Sequence, residues 1–181
     1  MEKELEVKLL EIDPKELEKE LISLNAEKIA DENQENILFH SISKNEIPDG
    51  SYLRIRCTHN NINNEKIYYL TFKQKIENKE LRENNEYTTC IDSVENTIKI
   101  LENLGYAEHS RGYKHRISYM LEDCRIDIDI WDKDTYPYPY AEIEVPSINK
   151  LNQIINLLKV DESKISHKSI RELQLELNIN V

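Results

Sequence analysis

At 181 residues the chain is long enough to bury roughly two-thirds of its unfolded surface in a single domain spanning 1–181, so it needs no disulfide or metal staple to fold. A formal net charge of −11 repels nucleic acid phosphate and anionic lipid over the surface as a whole, so an anionic ligand has to be met in a concentrated basic site. No apolar run approaches the ~20 residues of a membrane span, and the acidic, periodic N-terminus lacks the basic-then-apolar layout of a signal peptide; a cytoplasmic protein with neither a membrane nor a nucleic acid partner is expected.

The first element is written in MEKELEVKLLEI, residues 1–12, where Glu4, Glu6 and Lys8 alternate with Leu5, Val7 and Leu9. Successive strand side chains point to opposite faces, so the three charges share one side and the three aliphatics a core. Asp13 followed by Pro14 is a cap and first-turn signature for a helix over 14–24. Alternation then predicts strands at 35–42, 51–58, 66–75 and 81–90, with the asparagine-rich HNNINNE at 59–65 as a hairpin turn. Asp92 with Glu95 three residues later resembles a capping box for a helix over 93–104, closed by Gly105. Strands follow at 113–121, 124–131 and 140–145. After Pro146, helical spacing over 147–159 and 167–177 carries Ser147 and Ser166 as N-caps. With the strand over 2–10 this makes about eight strands, and the fold class is α+β, helices covering the apolar face of an antiparallel sheet.

The polar faces of these strands are segregated by sign. Arg54 and Arg56 share a face, as do Lys73 and Lys75 beside Thr71, Arg82 with Asn84 and Glu86, and Lys114 with Arg116. Asp127 and Asp129, then Glu142 and Glu144, supply two acidic faces. A solvated outer face would interleave signs, because like charges two apart on one face repel. Two groups of opposite sign suit a ligand with two kinds of charge. A polyphosphate chelating a divalent metal fits: guanidinium and ammonium groups grip phosphate oxygens, and carboxylates supply the hard oxygens that Mg2+ or Mn2+ prefers. The sheet would then close on itself with its polar face inward, as eight antiparallel strands can.

ELEVK at 4–8 matches an ExExK signature, and QENILF at 34–39, LRIR at 53–56, TFK at 71–73, the Arg82 to Glu86 strand, KHR at 114–116, IDIW at 128–131 and EIE at 142–144 follow it. This ordered set resembles the CYTH superfamily, the triphosphate tunnel metalloenzymes, which includes class IV adenylate cyclases, thiamine triphosphatases and inorganic triphosphatases. The resemblance implies an eight-stranded antiparallel β-barrel, a tunnel holding a triphosphate and divalent metal, with helices outside. It implies a metal side of Glu4, Glu6, Asp129, Glu142 and Glu144 and a phosphate side of Lys8, Arg54, Arg56, Lys73, Arg82, Lys114 and Arg116. Glu4, Glu6, Lys8 and Glu86 are the expected catalytic residues, Glu86 as an acceptor of the attacking water's proton. Two departures stand out. The family often shows Arg-x-Glu-x-Glu where this chain has Arg82, Asn84 and Glu86, and the longer link WDKDTYPYPYA leaves Asp127, Asp129 or Asp132 as the matching acid, Asp129 being preferred because Trp131 follows it.

Cys57, Cys90 and Cys124 are odd in number, widely spaced and in no CxxC, and read as reduced packing residues. His40, His59, His109, His115 and His167 are scattered without ligand spacing, and His115 points away from Lys114 and Arg116 by parity. Tyr136, Tyr138 and Tyr140 either rim a tunnel mouth or pack a proline-stiffened loop. The expected function is a metal-dependent triphosphatase acting on inorganic, thiamine or nucleoside triphosphate. A class IV-type adenylate cyclase and a non-catalytic polyphosphate or nucleotide-binding module are the alternatives, and the sequence gives no oligomeric state.

Overall fold

Alternation of apolar and charged side chains organises the whole chain. The computed structural model describes residues 2–43, 46–76 and 82–179, and residues 2–4, 82 and 83 as backbone alone. Its strands are β1 (Glu2–Leu9), β2 (Glu27–Ser41), β3 (Tyr52–Asn60), β4 (Lys66–Ile76), β5 (Arg82–Ile91), β6 (Tyr106–Leu121), β7 (Cys124–Trp131), β8 (Tyr140–Glu144) and the two-residue β9 (Ile165–Ser166). Its helices are α1 (Pro14–Ser23), α2 (Val94–Asn103), α3 (Ile148–Leu157) and α4 (Ile170–Glu176). The α+β class stands.

The sheet has nine strands in the order β5-β4-β3-β2-β6-β7-β8-β1-β9, and β5 additionally pairs with β1. All the pairings of β1 are antiparallel: β8 lies along Glu6–Leu9, β5 along Glu2–Glu6, and β9 along Lys8 and Leu9. The two ends of the order therefore both meet on β1. The expected closed barrel of eight strands is corrected: the strands form one nine-stranded sheet, in which β5 pairs with β1 only along Glu2–Glu6 and a ninth strand takes up the last two residues of β1. Two residues are too few for alternation to reveal in a sequence.

Other boundaries also shift. β2 and β6 begin at Glu27 and Tyr106 rather than at 35 and 113, because their first halves lack a sustained period-2 signal. Position 81, expected to open a strand, lies outside the described residues. The N-cap of α2 is Ser93, whose side chain accepts from the Asn96 N–H, and not Asp92. Ser166 belongs to β9, and α4 is capped by Ser169 in a reciprocal box with Glu172, a Ser-x-x-Glu signature one turn further on. Asp13 caps α1, Ser147 caps α3, and Gly105 takes a φ of 88° where the chain leaves α2.

The aliphatic face of the sheet is covered by helices. Val7, Ile117, Ile126, Ile128 and Ile143 from β1, β6, β7 and β8 pack with Leu17 and Leu21 of α1 and Leu151 and Ile154 of α3. Ile37, Phe39, Leu53 and Ile55 of β2 and β3 pack with Leu101 of α2. Tyr136 and Tyr140 pack with Leu173 of α4, which makes TYPYPY a packed segment, Tyr138 alone standing exposed. Cys124 is buried and Cys57 half-buried as packing residues, whereas Cys90 is exposed, correcting its expected burial: it shares the strand face of Glu86 and Thr88, which line the polar cavity, and not that of Ile91, which packs on the core. Among the described residues no helix is long and apolar enough to cross a membrane.

Ile126 has no exposed surface, so Ile126→Ala is expected to cost about 2–5 kcal/mol of stability in urea unfolding. Ser169→Ala, which removes a cap and not a core side chain, is expected to cost about 1 kcal/mol.

Candidate functional site

The face opposite the aliphatic core is also largely out of solvent, and it is charged. Glu6, Lys8, Lys73, Lys114, Arg116, Asp127 and Asp129 are all buried. They surround a cavity of about 910 Å³ whose lining includes Glu6, Lys8, Arg54, Arg56, Lys73, Glu86, Lys114, Arg116, Asp127, Glu142 and Glu144. The described side chains expected at the site thus converge on one space, with Asp129 behind its wall. Glu4 and Arg82 occupy strand positions opposite Asn84 and Glu6 respectively, and their side chains lie outside the described residues.

Arg116 on β6 is the hub. Its Nη1 lies 2.6 Å from Asp127 Oδ2, its Nε donates to Asp129 Oδ1 at 2.6 Å, and its Nη2 donates to Asp129 Oδ2 and Glu142 Oε2 at 2.6 Å each. Burial disfavours its charge, but Asp127, Asp129 and Glu142 prevail and hold the guanidinium well above its ordinary pKa. Burial likewise pushes Glu142 up, and Lys8, 3.0 Å away, and Arg116 outweigh it, so that this carboxylate sits well below its usual range. Asp129 is fully enclosed and takes a further bond from Lys114 Nζ at 2.8 Å. The residue expected among the metal ligands is therefore engaged in orienting two cations, while Asp127, the alternative, lines the cavity and is also held by Arg125 Nε at 2.8 Å. Asp132, the third candidate, accepts from the Tyr113 N–H and caps the turn at Thr135.

Lys114 shows how crowded this cluster is. Its ammonium bonds Asp129 and lies 4.9 Å over the Trp131 ring, yet burial, with the charges of Arg116 and Arg56, lowers its pKa to about 7. Asp129 and Glu142, both already engaged by Arg116, do not compensate for burial and two guanidinium neighbours.

The opposite wall differs. Lys73 pairs with Glu86 at 3.0 Å and lies 3.9 Å from Glu6. Burial raises Glu86, but Lys73 and Arg54 hold it below the usual carboxylate range, which weakens it as a base. Arg54 and Arg56 have no carboxylate within ion-pair distance among the described residues. Arg54 stacks on the Tyr52 ring at 5.3 Å with its Nε unpartnered, and Arg56 Nε donates to Asn36 Oδ1 at 3.3 Å. Burial and the charges of Arg54 and Arg116 lower Arg56 to about 10, so it stays charged at neutral pH.

Carboxylates face the same cavity from β1 and β8. Glu6 and Glu144 are directly paired in register and both line it, with Lys73 3.9 Å from Glu6 and Arg125 opposite Glu144 offsetting their repulsion. Among the described residues no group of three or more His, Cys, Asp and Glu side chains is gathered closely enough to hold a metal by itself. The donor set still fits magnesium or manganese, because such ions commonly take one or two carboxylates and complete their shell with water and substrate phosphate.

Sequence reasoning missed four wall residues. Gln34, Asn36 and Thr58 lie on the polar face of β2 and β3 at 3%, 3% and 6% exposure, and Arg125 shares the face of Asp127. The signal was parity, since Gln34 and Asn36 alternate along the QENILF stretch. His115 bonds Asp31 at 2.9 Å and is absent from the lining of the main cavity, as its parity implied.

The fold is thus a sheet curled round a charged cavity to which Arg54 and Arg56 contribute on one side and Glu6, Glu142 and Glu144 on another. The chain belongs to the CYTH domain family, whose model matches residues 2–170. Among solved structures it is similar to a conserved hypothetical protein of Pyrococcus furiosus, at 26% identity and a TM-score of 0.77 over 94% of this chain and 99% of that one. A candidate adenylate cyclase of Vibrio parahaemolyticus is 16% identical, with a TM-score of 0.71 over 95% of this chain and 97% of that one. A Hippeastrum protein, described as a candidate adenylyl cyclase with a dominant triphosphatase activity, is 12% identical, with a TM-score of 0.65 over 100% of this chain and 98% of that one. None of the curated proteins matches the chain.

Arg54 and Arg116 read alike in sequence and differ in structure, which separates their variants. Arg116→Ala leaves the buried Asp127 and Asp129 and the half-buried Glu142 without their shared cation and is expected to cost on the order of 3–5 kcal/mol in ligand-free buffer, as for a broken buried pair. Arg54→Ala removes a charge that has no ion-pair partner among the described residues and only the longer-range attraction of Glu86, and is expected to leave thermal stability unchanged or raised.

The depressed pKa of Lys114 sets a pH window. The folded state gives up this proton near pH 7, whereas an unfolded lysine keeps it to about 10.4. Across that interval the unfolded chain binds more protons, so the contribution of Lys114 to stability rises with pH between about 7 and 10 and is flat below. Chemical denaturation of the protein and of Lys114→Met across pH 6–9.5 checks this: the difference between the two curves should move in favour of the unsubstituted protein as pH rises.

Proposed function

We propose that the protein is a divalent-metal-dependent hydrolase of a triphosphate-containing substrate bound inside the curled sheet, which thereby serves as a tunnel. The observation that carries this reading is the division of the cavity, with Arg54 and Arg56 lacking a carboxylate within ion-pair distance among the described residues on one wall and Glu6, Glu142 and Glu144 on another. An ionised triphosphate offers acceptor oxygens in a row, and guanidinium forks match them geometrically. Lys8, Lys73, Lys114 and Arg116 extend the positive surface around the same space, and Arg82 shares the strand of Glu86.

Glu6, Glu142 and Glu144, with Glu4 from the same strand as Glu6, would hold Mg2+ or Mn2+. Such an ion, when bound, supplies charge that stabilises the phosphate oxygens. The protein's own part is electrostatic: cations fixed by their carboxylate partners meet the charge that builds on the phosphoryl oxygens as water attacks phosphorus, and they need not reorganise to do so. No side-chain nucleophile is required. The dominant triphosphatase activity of the Hippeastrum protein supports hydrolysis over cyclisation within this fold.

The test is a substrate panel of inorganic triphosphate, thiamine triphosphate and ATP, scoring orthophosphate, pyrophosphate and cyclic AMP separately. Phosphate release is expected to vanish in a chelator and return with magnesium or manganese. Glu142→Gln should lose turnover while staying folded, and Arg54→Ala should weaken triphosphate binding by about 1–3 kcal/mol, the range for a lost charge-assisted contact. Cyclic AMP as the main product would transfer the site to the cyclase reading. Tight binding without any product would make it a sensor.

A further inference from the structure

The corner where β2 meets β3 holds three buried polar atoms without a hydrogen-bond partner: Gln34 Oε1, Asn36 Nδ2 and Thr58 Oγ1. They are neighbours, since Gln34 pairs in register with Thr58 and Asn36 with Arg56. Asn36 and Thr58 line the main cavity, Gln34 lies on the same strand face, and Gln34 and Thr58 border an adjoining cavity of about 770 Å³. A buried polar group left unmade is costly, so each atom implies something that completes it.

The amide orientations are set by their other ends. Gln34 Nε2 donates to Glu32 Oε2 at 2.7 Å, and a flipped amide would set oxygen against carboxylate. Asn36 Oδ1 accepts from Arg56, so its Nδ2 is the free end. The vacant groups are then a donor at Asn36, a donor or acceptor at Thr58, a donor at Arg54 Nε, and an acceptor at Gln34. Phosphate oxygens, which only accept when ionised, suit the donors. They do not suit Gln34 Oε1, where two acceptors would face each other. Lys114, the other register partner of Gln34, has its ammonium on Asp129 and the Trp131 ring and makes no bond to Gln34. What suits Gln34 is a neutral O–H, either the Thr58 hydroxyl across the register or a water held between the two, and Thr58 also lines the main cavity.

We propose that Gln34 accepts a hydrogen of the attacking water, with Thr58 as its second contact, so that the β2–β3 wall orients the nucleophile; this rests on the hydrolase reading above. Gln34 is no base and stays neutral throughout. The water oxygen forms a bond to phosphorus as the bridging P–O bond breaks, the bridging oxygen leaves with the electron pair, one water hydrogen remains on the new phosphate, and the other passes to a phosphate oxygen or to solvent. Orientation matters here because Glu86, the expected proton acceptor, is held weakly basic by Lys73 and Arg54. A small misplacement of a reacting atom can cost about a hundredfold in rate.

The test is steady-state hydrolysis of inorganic triphosphate with magnesium or manganese, paired with melting temperature with and without triphosphate, for the unsubstituted protein, Gln34→Leu, Thr58→Val and Thr58→Ser. Gln34→Leu is expected to lower kcat by about 10- to 100-fold with KM and the triphosphate-induced shift in melting temperature nearly unchanged. Thr58→Val should lose part of the rate, and Thr58→Ser should restore it. Unchanged kcat in both Gln34→Leu and Thr58→Val would overturn the inference while leaving the hydrolase reading intact. A raised KM with unchanged kcat would overturn it too, returning Gln34 to substrate binding. A defect seen with ATP but not with inorganic triphosphate would assign the acceptor to a hydroxyl of the organic group. An unsubstituted protein inactive on every triphosphate would overturn the reading and the inference together. If Gln34→Leu fails to fold, Thr58→Val, which keeps size and removes only the hydroxyl, decides alone.

Discussion

The bond set around Arg116 is the constraint on which the interior depends. Taking an ion out of water costs several kcal/mol unless partners with good geometry replace its hydration. Here one guanidinium on β6 is met by Asp127 and Asp129 on β7 and Glu142 on β8, so three adjacent strands are tied together on the side facing away from the aliphatic core. Glu142 passes the connection on to Lys8 of β1, the strand at which the sheet's two ends meet. Remove the hub, and the charges it holds become mutually repulsive in a space with little water.

That network also decides what remains available to a ligand. Each carboxylate engaged by Arg116 or Lys8 subtracts from the negative charge in the cavity, while on β3 Arg54 and Arg56 are not offset in the same way. The interior is consequently polarised although the protein as a whole carries a net charge of −11. An anion approaching such a surface is repelled by the exterior and stabilised only once inside, among fixed guanidinium groups in a region of reduced dielectric. The site is built on paired strands rather than loops, so its geometry is as stiff as the sheet.

Much of this was legible in the chain because strand parity is a strict rule. Alternation alone separated Arg54 and Arg56 from Leu53 and Ile55, and Asp127 and Asp129 from Ile126 and Ile128, and the structure keeps every one of those assignments of face. Ordinary helix signals were readable too, as with Asp13, Pro14 and Ser147. Partnership was not legible. Arg54 and Arg116 sit in similar local sequence, and nothing local says that the first lacks a carboxylate and the second has three, because pairing depends on which strands become neighbours, and those neighbours lie 10 or more positions away. Asp129 illustrates the same limit: its spacing before Trp131 says nothing of its pairing with Lys114 and Arg116, two residues of the neighbouring strand. The caps of α2 and α4 moved by one turn or less because Asp92 and Ser93, or Ser166 and Ser169, offer competing oxygens, and tertiary packing selects between them.

The neutral residues were hardest to see, and physically they are the most informative. A buried charge announces itself in a sequence because its cost demands a partner, whereas a buried amide in a strand reads as an ordinary polar residue. Only the structure reveals that Gln34 has one end fixed by Glu32 and the other end vacant. The direction of that vacancy carries the chemistry: an acceptor set among donors discriminates between ligand atoms that differ only in whether they bear a hydrogen. Charged groups select an anion by sign and do not distinguish one acceptor oxygen from another placed beside it. An uncharged acceptor does, because it pairs only with an atom that bears a hydrogen.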